Sequence, residues 1–241
     1  MSVTDLHRQA GDHAVRSPLV EALRRVFMTP YALHILAFAP ATALLFVVAI
    51  QPFVPVDELM KDMLTVAEFS DDCCHAYYGF VSNLGIVVWI AAAAICLFAG
   101  AVLFSDSGLS RQAIFCLSAG LVTGWLAIDD LFLVHEAVLQ KLGVPQPVTY
   151  GAYAVMVLAY LWFNRGEILA HRFSVLAVAA FFMATSVLVD VFIHAEGPVM
   201  VMIEDGTKLL GMCGWAVFHV VAVFTLLNGA RRPLRSRSAA L

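Results

Sequence analysis

The stretch IDDLFLVHE, residues 128–136, closes a long apolar run that begins near residue 112. It places two adjacent aspartates, Asp129 and Asp130, and the pair His135-Glu136 where a membrane helix meets the surface of the bilayer. Ionisable groups at membrane depth are energetically expensive and usually mark a functional site. The stretch therefore predicts both a membrane helix and the position of the chemistry.

The composition of the whole chain agrees with a helical membrane protein. Of the 241 residues, 61% are hydrophobic and 13% are charged, and the mean hydropathy is +0.86. Soluble domains carry about 45–50% apolar and about 25% charged residues. We therefore predict an all-α, multi-pass bundle in the plasma membrane or a bacterial inner membrane.

Six runs in the sequence are long enough to span a bilayer, which takes roughly 20 apolar residues in a helix. They lie at 31–51, 78–104, 112–135, 147–164, 173–194 and 206–228. They predict a single six-helix transmembrane domain, residues 30–229, between a polar N-terminal tail at 1–16 and a basic cytoplasmic tail at 230–241.

Two short amphipathic stretches predict helices that lie on the membrane surface. Residues 17–29 begin with Ser17-Pro18, which is typical of a helix start, and carry an apolar stripe opposite two arginines. Residues 57–69 lie between the first two spans and have a narrow apolar face. We interpret this second stretch as adhering to the membrane or serving as a lid over the bundle.

The basic residues set the orientation, because cytoplasmic segments of membrane proteins are rich in Lys and Arg. With six spans, every arginine falls on the side of the two termini, and only Lys61, Lys141 and Lys208 fall on the other. We therefore predict that both termini are cytoplasmic and that the acidic residues face outward. Asp129, Asp130 and Asp190 then lie about one to two helical turns below the outer surface.

Histidines and carboxylates gather at this outer level and predict a metal site. Imidazole and carboxylate oxygens are ligands that zinc and non-haem iron accept. We predict a divalent metal, zinc or iron, with these ligands: His75, His135, Asp190, His194 and Glu204. For each histidine, the alternative is an interfacial residue bonded to a headgroup or a backbone carbonyl.

The remaining polar residues of this level receive catalytic or supporting roles. Asp129, Asp130 or Glu136 could act as general base toward a metal-bound water. Lys208 could bind an anionic substrate or neutralise an aspartate, but the simplest interpretation is a helical ion pair with Glu204, four residues earlier. The other polar residues assigned to the site are Ser82, Asn83 and Asp205.

Three classes of function fit these observations. The first is a metal-dependent membrane enzyme, a hydrolase or a di-metal oxidase, that acts on a lipid or another apolar substrate. The second is a proton- or cation-coupled transporter or channel, since buried Asp, His and Lys also describe a cation path. The inner halves of the spans offer few polar groups, namely His219, Thr123, Ser118 and Thr225, and this favours the enzyme.

The third class is a small subunit of a larger membrane complex, which agrees with the size of the chain. Membrane lipids are the expected surroundings, and copies of the chain or another membrane protein are candidate partners. The basic stretch 231–237 is interpreted as a topology signal and an anionic-lipid anchor, so nucleic acid is not an expected partner.

Overall fold

The computed structural model describes residues 30–69, 74–108, 110–193 and 197–238 of the chain. The elements of these residues are all helical. In chain order they are α1 Pro30–Ile50, α2 Val56–Met60, α3 Met63–Phe69, α4 Phe80–Ser107, α5 Arg111–Phe132, a π-helical turn Val134–Val138, α6 Leu139–Lys141, α7 Gln146–Phe163, α8 Arg165–Ala170, α9 Phe173–Phe192 and α10 Pro198–Ser238. The predicted tail at 1–16 and surface helix at 17–29 lie outside the described residues.

Five of the described helices are long and apolar enough to cross a membrane. They are Tyr31–Ile50, Phe80–Asp106, Arg111–Phe132, Phe173–Phe192 and the part of α10 from Pro198 to Gly229. These helices fit the predicted all-α, multi-pass membrane protein. The fourth predicted span, 147–164, forms α7, whose 18 residues include three tyrosines and are not among the five. The six-span count therefore stays a prediction.

The long helices alternate in direction, so the bundle has two different ends. One end, called here the site end, holds the end of α5 and the start of α10. The opposite end, called the arginine end, holds Arg111, Arg165 and Arg172. At the arginine end, α5 begins at Ser110, whose hydroxyl accepts a hydrogen bond from the backbone N–H of Ala113 at 3.2 Å. Such a cap satisfies a donor that the first helical turn leaves free.

At the site end, α5 finishes earlier than the sequence predicted. The helix stops at Phe132 because Leu133 adopts a left-handed conformation with φ of +47°. The chain then continues in the π-helical turn that carries His135 and Glu136. The predicted span 112–135 was therefore wrong in its last three residues, which form a separate turn over the end of α5.

α10 is the central helix of the bundle and packs against α1, α2, α4, α5 and α9. Close approach depends on glycine: an added Cβ at Gly85 of α4 would lie 2.7 Å from the sulfur of Met212 on α10. On the other side of α10, a Cβ at Gly211 would lie 2.5 Å from Cγ of Met183 on α9. Small residues of this kind let membrane helices pack through van der Waals contact, which drives their association.

The outer stretch 57–69 forms two short helices rather than the one that was predicted. α2 ends at Met60 and α3 begins at Met63, with Lys61 and Asp62 between them. The segment is fixed to the bundle at Gly79, whose N–H donates to the carbonyl of Glu58 at 2.8 Å. The break has a consequence for the site, because it releases Asp62 from a regular helix and lets its side chain reach α4.

Candidate functional site

An ion pair between α5 and α10 lies at the centre of the site. The ammonium of Lys208 donates a hydrogen bond to Oδ1 of Asp130. Asp130 is only 5% exposed, and its second oxygen, Oδ2, is buried with no hydrogen-bond partner among the described residues. One oxygen of this buried carboxylate is thus hydrogen-bonded to Lys208, and the other oxygen is available for a further ligand.

The predicted ion pair between Glu204 and Lys208 is wrong, since Lys208 pairs with Asp130 instead. The physical reason is the difference in burial between the two acids. An i,i+4 pair on a helix surface contributes about 0.2–0.5 kcal/mol. Leaving one partner of a buried ion pair uncompensated costs about 3–5 kcal/mol. The ion pair of Lys208 with the buried Asp130 is therefore favoured over an ion pair with the half-buried Glu204.

Two further carboxylates lie around Lys208. Its ammonium interacts electrostatically with Asp62 and Asp205 as well as with Asp130. The hydroxyl of Ser82 on α4 donates to Oδ1 of Asp62 at 2.6 Å. Burial raises the pKa of the Asp62 carboxyl above its ordinary value, although the nearby Lys208 acts in the opposite direction. Three carboxylates therefore share one ammonium.

A small cavity opens between α4 and α10 at this position. Its volume is about 10 Å³, and polar atoms line it together with apolar side chains: Val81, Ser82, Asp205, Lys208, Leu209 and Met212. A volume of roughly 10–15 Å³ holds about one water molecule when polar partners are present. The cavity has such partners and is therefore the size of one water or one bare inorganic ion.

A second group of charges surrounds His135 at the end of α5. Asp129 accepts hydrogen bonds from Nδ1 of His135 at 2.6 Å and from its backbone N–H at 3.0 Å. The hydroxyl of Tyr153 donates to the same carboxylate at 2.6 Å. Nε2 of His135 faces Oε1 of Glu136 at 3.2 Å. Both ring nitrogens are therefore occupied by carboxylates.

This arrangement fixes the protonation state of the imidazole. Burial alone lowers the pKa of His135, but the hydrogen bonds to Asp129 and Glu136 outweigh burial and raise it to about 9. The hydrogen bond from His135 in turn lowers the pKa of the Glu136 carboxyl. The raised pKa favours the imidazolium at neutral pH, which donates to Asp129 through Nδ1 and to Glu136 through Nε2.

Asp190 on α9 belongs to a third contact at the same end. Its carboxylate accepts a hydrogen bond from the hydroxyl of Tyr150 on α7. The side-chain amide of Gln146 donates to that hydroxyl at 3.2 Å. Glu204, one turn before Lys208, is half-buried and interacts electrostatically with Asp190. Tyrosines thus link α7 to the acidic residues of two neighbouring helices.

The predicted site residues separate into distinct groups rather than one metal centre. Asp130, Lys208, Asp205 and Ser82 lie in one group, and Asp129, His135 and Glu136 in another. In the described part of the chain, Asn83 makes no side-chain hydrogen bond to either group.

Two of the predicted metal ligands lie apart from these groups or outside the description. His75 is exposed and stacks on Tyr77 at 5.1 Å between ring centroids. His194 lies outside the described residues. Within those residues, no group of three or more His, Cys, Asp or Glu is placed to hold a metal ion. Zinc or iron therefore stays a prediction that these residues do not support.

Three site residues escaped the sequence interpretation. Asp62 was counted among the acids of an exterior loop, and nothing in a single sequence indicates that the loop folds back. Tyr150 and Tyr153 carried a signal, since they lie three residues apart in a predicted span. Residues with this spacing share one helix face, and this face contacts Asp190 and Asp129.

A second polar layer lies deeper in the bundle. The indole N–H of Trp215 donates to the hydroxyl of Thr123 at 2.8 Å. His219 is fully buried, with Nδ1 at 2.8 Å from the carbonyl of Trp215 and Nε2 at 2.7 Å from the hydroxyl of Tyr160. A carbonyl only accepts, so Nδ1 carries the proton, and the neutral ring accepts from Tyr160 at Nε2.

The same spacing separates the two polar layers on three helices. On each of them, a polar residue at the site end and a residue of the deeper layer are seven positions apart: Asp130 and Thr123, Tyr153 and Tyr160, Lys208 and Trp215. Seven helical residues correspond to about 10 Å along the axis. Buried apolar residues, Ala127, Leu209 and Met212, lie between the layers.

The long apolar helices and the buried charges at one end define the class of the molecule as a multi-pass helical membrane protein. Within this class, the chain belongs to a family described as a domain of unknown function, DUF8692, whose model matches residues 32–222. The match includes every residue of the two polar layers. No curated protein and no solved structure matches the chain.

Proposed function

We propose that the protein is a proton- or cation-coupled membrane transporter that loads its cation beside Asp130. The observation that carries this proposal is the buried carboxylate of Asp130, with one oxygen on Lys208 and the other without a partner. Ionisable groups inside membrane helices mark ion pathways and proton relays. An open carboxylate oxygen next to an ammonium is a place where a positive charge can be taken up and released.

The balance of charges supports uptake of a cation. Asp62, Asp130 and Asp205 interact with a single cation, Lys208. An uncompensated charge in a low-dielectric environment is costly, and a buried group then takes up a proton or a counter-ion. The site therefore gains stability when it binds at least one further positive charge, and it is poised between loaded and unloaded states.

The deeper polar layer favours a transporter over an enzyme whose polar residues lie only at one end of the bundle. The sequence favoured an enzyme because the inner halves of the spans offered few polar groups. Thr123, Trp215, His219 and Tyr160 nevertheless join into one hydrogen-bonded group about 10 Å from the site layer. This group gives a cation path a second polar level, and Leu209 and Met212 between the levels would act as the barrier.

The proposal includes an orientation and a location. The arginine end lies in the cytoplasm, following the rule that Arg and Lys concentrate there, and the site end faces the outside. α7 is then the fourth of six spans, and both termini are cytoplasmic. The membrane is the plasma membrane or a bacterial inner membrane.

The metal-dependent enzyme is the weaker proposal. The predicted metal site includes His135, and both ring nitrogens of this residue already face carboxylates, those of Asp129 and Glu136. Metal analysis of the purified protein that finds about one zinc or iron per chain, lost in His135→Ala, would favour it. A role as a homo-oligomer or as a subunit of a larger complex is compatible with either function.

Ion flux in liposomes tests the proposal. Purified protein is reconstituted, and proton and Na⁺ fluxes are followed with pH-sensitive and Na⁺-sensitive dyes. We expect Asp130→Asn to reduce the flux at least about tenfold, because it removes the open carboxylate that would bind the cation. Asp106→Asn is the matched control, since Asp106 is exposed at the arginine end. Equal fluxes for both variants and the wild type would contradict the proposal.

A further inference from the structure

We propose that the cation of this site is a small monovalent inorganic ion of the Na⁺ class, and that Lys208 is a tethered competitor which releases Asp130 when the ion binds. The inference rests on the proposed function and names its substrate class. It combines three observations: the size of the cavity, the chemistry of its oxygen atoms and the position of Lys208.

The size of the cavity limits the ion. A volume of about 10 Å³ next to Ser82, Asp205 and Lys208 admits one water-sized species. Organic ammonium ions are larger than this. Mg²⁺ usually keeps several of its water molecules when a protein binds it, and a hydrated ion of that kind does not fit. A bare monovalent ion does fit.

The oxygen ligands point to a hard cation. The carboxylate of Asp205 and the hydroxyl of Ser82 line the cavity. The carboxylates of Asp130 and Asp62 lie just beyond it, hydrogen-bonded to the lining residues Lys208 and Ser82. Carboxylate and other oxygen ligands suit hard cations, whereas zinc and copper favour imidazole or thiolate. Among the described residues, the imidazole of His135 already faces carboxylates on both ring nitrogens. In that part of the chain, the oxygen atoms around Lys208 therefore favour a hard cation over a transition metal.

The position of Lys208 sets the charge of the ion. Its ammonium is bound to Oδ1 of Asp130, and the main chain of α10 tethers it close by after any release. Coulomb repulsion from this ammonium is twice as large for a divalent as for a monovalent ion. A monovalent ion that replaces the ammonium on Asp130 also leaves the charge at that carboxylate unchanged. Only an ion of charge +1 can therefore replace the ammonium without changing the positive charge that is paired with Asp130.

The open oxygen of Asp130 gives the exchange a starting point. An incoming ion contacts Oδ2, which has no partner, before Lys208 leaves Oδ1. The released ammonium finds other acids close by, because it faces Asp62, Glu136, Glu204 and Asp205 in addition to Asp130. The additional acidic residues are thus alternative partners for Lys208 in the loaded state.

Binding of Na⁺ to the full chain in detergent provides the test. Radioactive ²²Na⁺ binding is measured at fixed pH, with choline chloride keeping the ionic strength constant. If Lys208 competes with Na⁺ for Asp130, it lowers the apparent affinity for Na⁺, and removing it restores that affinity by the same factor. We expect Lys208→Met to bind Na⁺ at least about tenfold more tightly than the wild type. Lys208→Arg keeps the competing charge and serves as the matched control without this gain.

A second measurement uses the wild-type protein and does not depend on a variant that folds. Lys208 is modified with an amine-reactive reagent, and its rate of labelling is followed by mass spectrometry in Na⁺ and in choline. We expect Na⁺ to increase the rate about threefold or more, because the ammonium leaves a buried carboxylate. Labelling of the exposed Lys141 should not change.

The outcomes separate the inference from the proposed function. In one outcome, the wild type binds Na⁺ or transports protons, but Lys208→Met binds Na⁺ no more tightly and the labelling rate of Lys208 does not depend on Na⁺. Lys208 is then not a competitor, and the inference is wrong while the proposed function stands. If the protein moves protons and binds no Na⁺, the ion class is wrong while the proposed function stands. If neither ion binds or moves in any variant, the proposed function itself fails.

Discussion

Asp129 and Asp130 are adjacent in the chain, but their carboxylates are hydrogen-bonded to different extents. Asp129 uses both of its oxygens to hold His135 and Tyr153, and it fixes the turn after α5. Asp130 has one oxygen on Lys208 and one without a partner. The two residues thus have different partners. A fully bonded carboxylate contributes to the frame, while a half-bonded one is available for binding.

The stability of the outer turn should depend on pH through His135. Its pKa in the folded protein is about 9, above the ordinary value of about 6.5. A raised pKa means that the protonated ring stabilises the fold. This contribution is complete below about pH 6.5 and is lost as the pH rises through about 9. We expect the melting temperature in detergent to fall across that window, measured by thermal unfolding.

His135→Gln provides the reference for this pH effect, because glutamine keeps a hydrogen-bond donor but does not titrate. The difference in melting temperature between the wild type and His135→Gln should shrink from pH 6.5 to pH 9. A difference that stays constant across the window would show that the imidazolium does not hold the turn.

At the scale of elements, the outer segment α2–α3 is held over the site at Gly79. This residue has φ of +65°, and an added Cβ would lie 2.7 Å from the backbone nitrogen of Met63. We expect Gly79→Ala to cost about 1–3 kcal/mol of unfolding free energy, since both the strain and the clash involve backbone. Thermal unfolding and limited proteolysis between Met60 and Phe80 measure the loss.

Gly151 is the matched control for the Gly79 substitution. It lies within α7, and an added Cβ there meets nothing within 4 Å. Gly151→Ala should leave stability unchanged or raise it by up to about 1 kcal/mol, because alanine favours helix. If both substitutions have the same effect, the outer segment is not fixed at Gly79.

Three tyrosines of α7 join it to the bundle, because their hydroxyls form hydrogen bonds with side chains of three other helices. One of these contacts, Tyr160 to His219, is deeply buried, with His219 fully inaccessible. Tyr160→Phe would leave Nε2 of His219 without a donor at a cost of about 1–3 kcal/mol. The double variant Tyr160→Phe, His219→Phe should lose less than the sum of the two single losses, because both polar partners are gone.

Chemical unfolding in detergent gives these free energies for the two single variants and the double variant. Additive losses would mean that Tyr160 and His219 do not depend on each other. Coupling of about 0.5 kcal/mol or more would establish the hydrogen bond as a link between α7 and α10.

At the scale of the whole molecule, the number of spans decides the orientation of the two ends. α6 at the site end and α8 at the arginine end flank α7, and both offer exposed positions, Gln140 and Gly166. If α7 crosses the membrane, Gln140→Cys reacts with an impermeant maleimide on intact cells, and Gly166→Cys reacts only after permeabilisation. Labelling of both positions from the same side would remove α7 from the spans.

The sequence predicted the helical membrane class and the end of the bundle where charges gather, because hydropathy and the positions of ionisable residues depend on the chain alone. It did not decide between partners. Lys208 was assigned first to Glu204 on its own helix, with the neutralisation of an aspartate as the alternative, and the structure shows the alternative. Local spacing is visible in a sequence, whereas the burial of Asp130 on another helix is not. Asp62 was missed for the same reason, because its role depends on a loop that folds back onto α4.

The central position of α10 has a consequence for biogenesis. α10 follows every other described helix in the chain, so it is the last of them to be synthesised and inserted. Until it arrives, α1 and α9 lack the neighbour against which they pack, whereas α4 and α5 already pack against each other. Asp130 meanwhile lies in the membrane without its cation. A chain interrupted before α10 would therefore leave a carboxylate unpaired. The order of synthesis makes the packing of α1 and α9 and the pairing of Asp130 late steps in assembly.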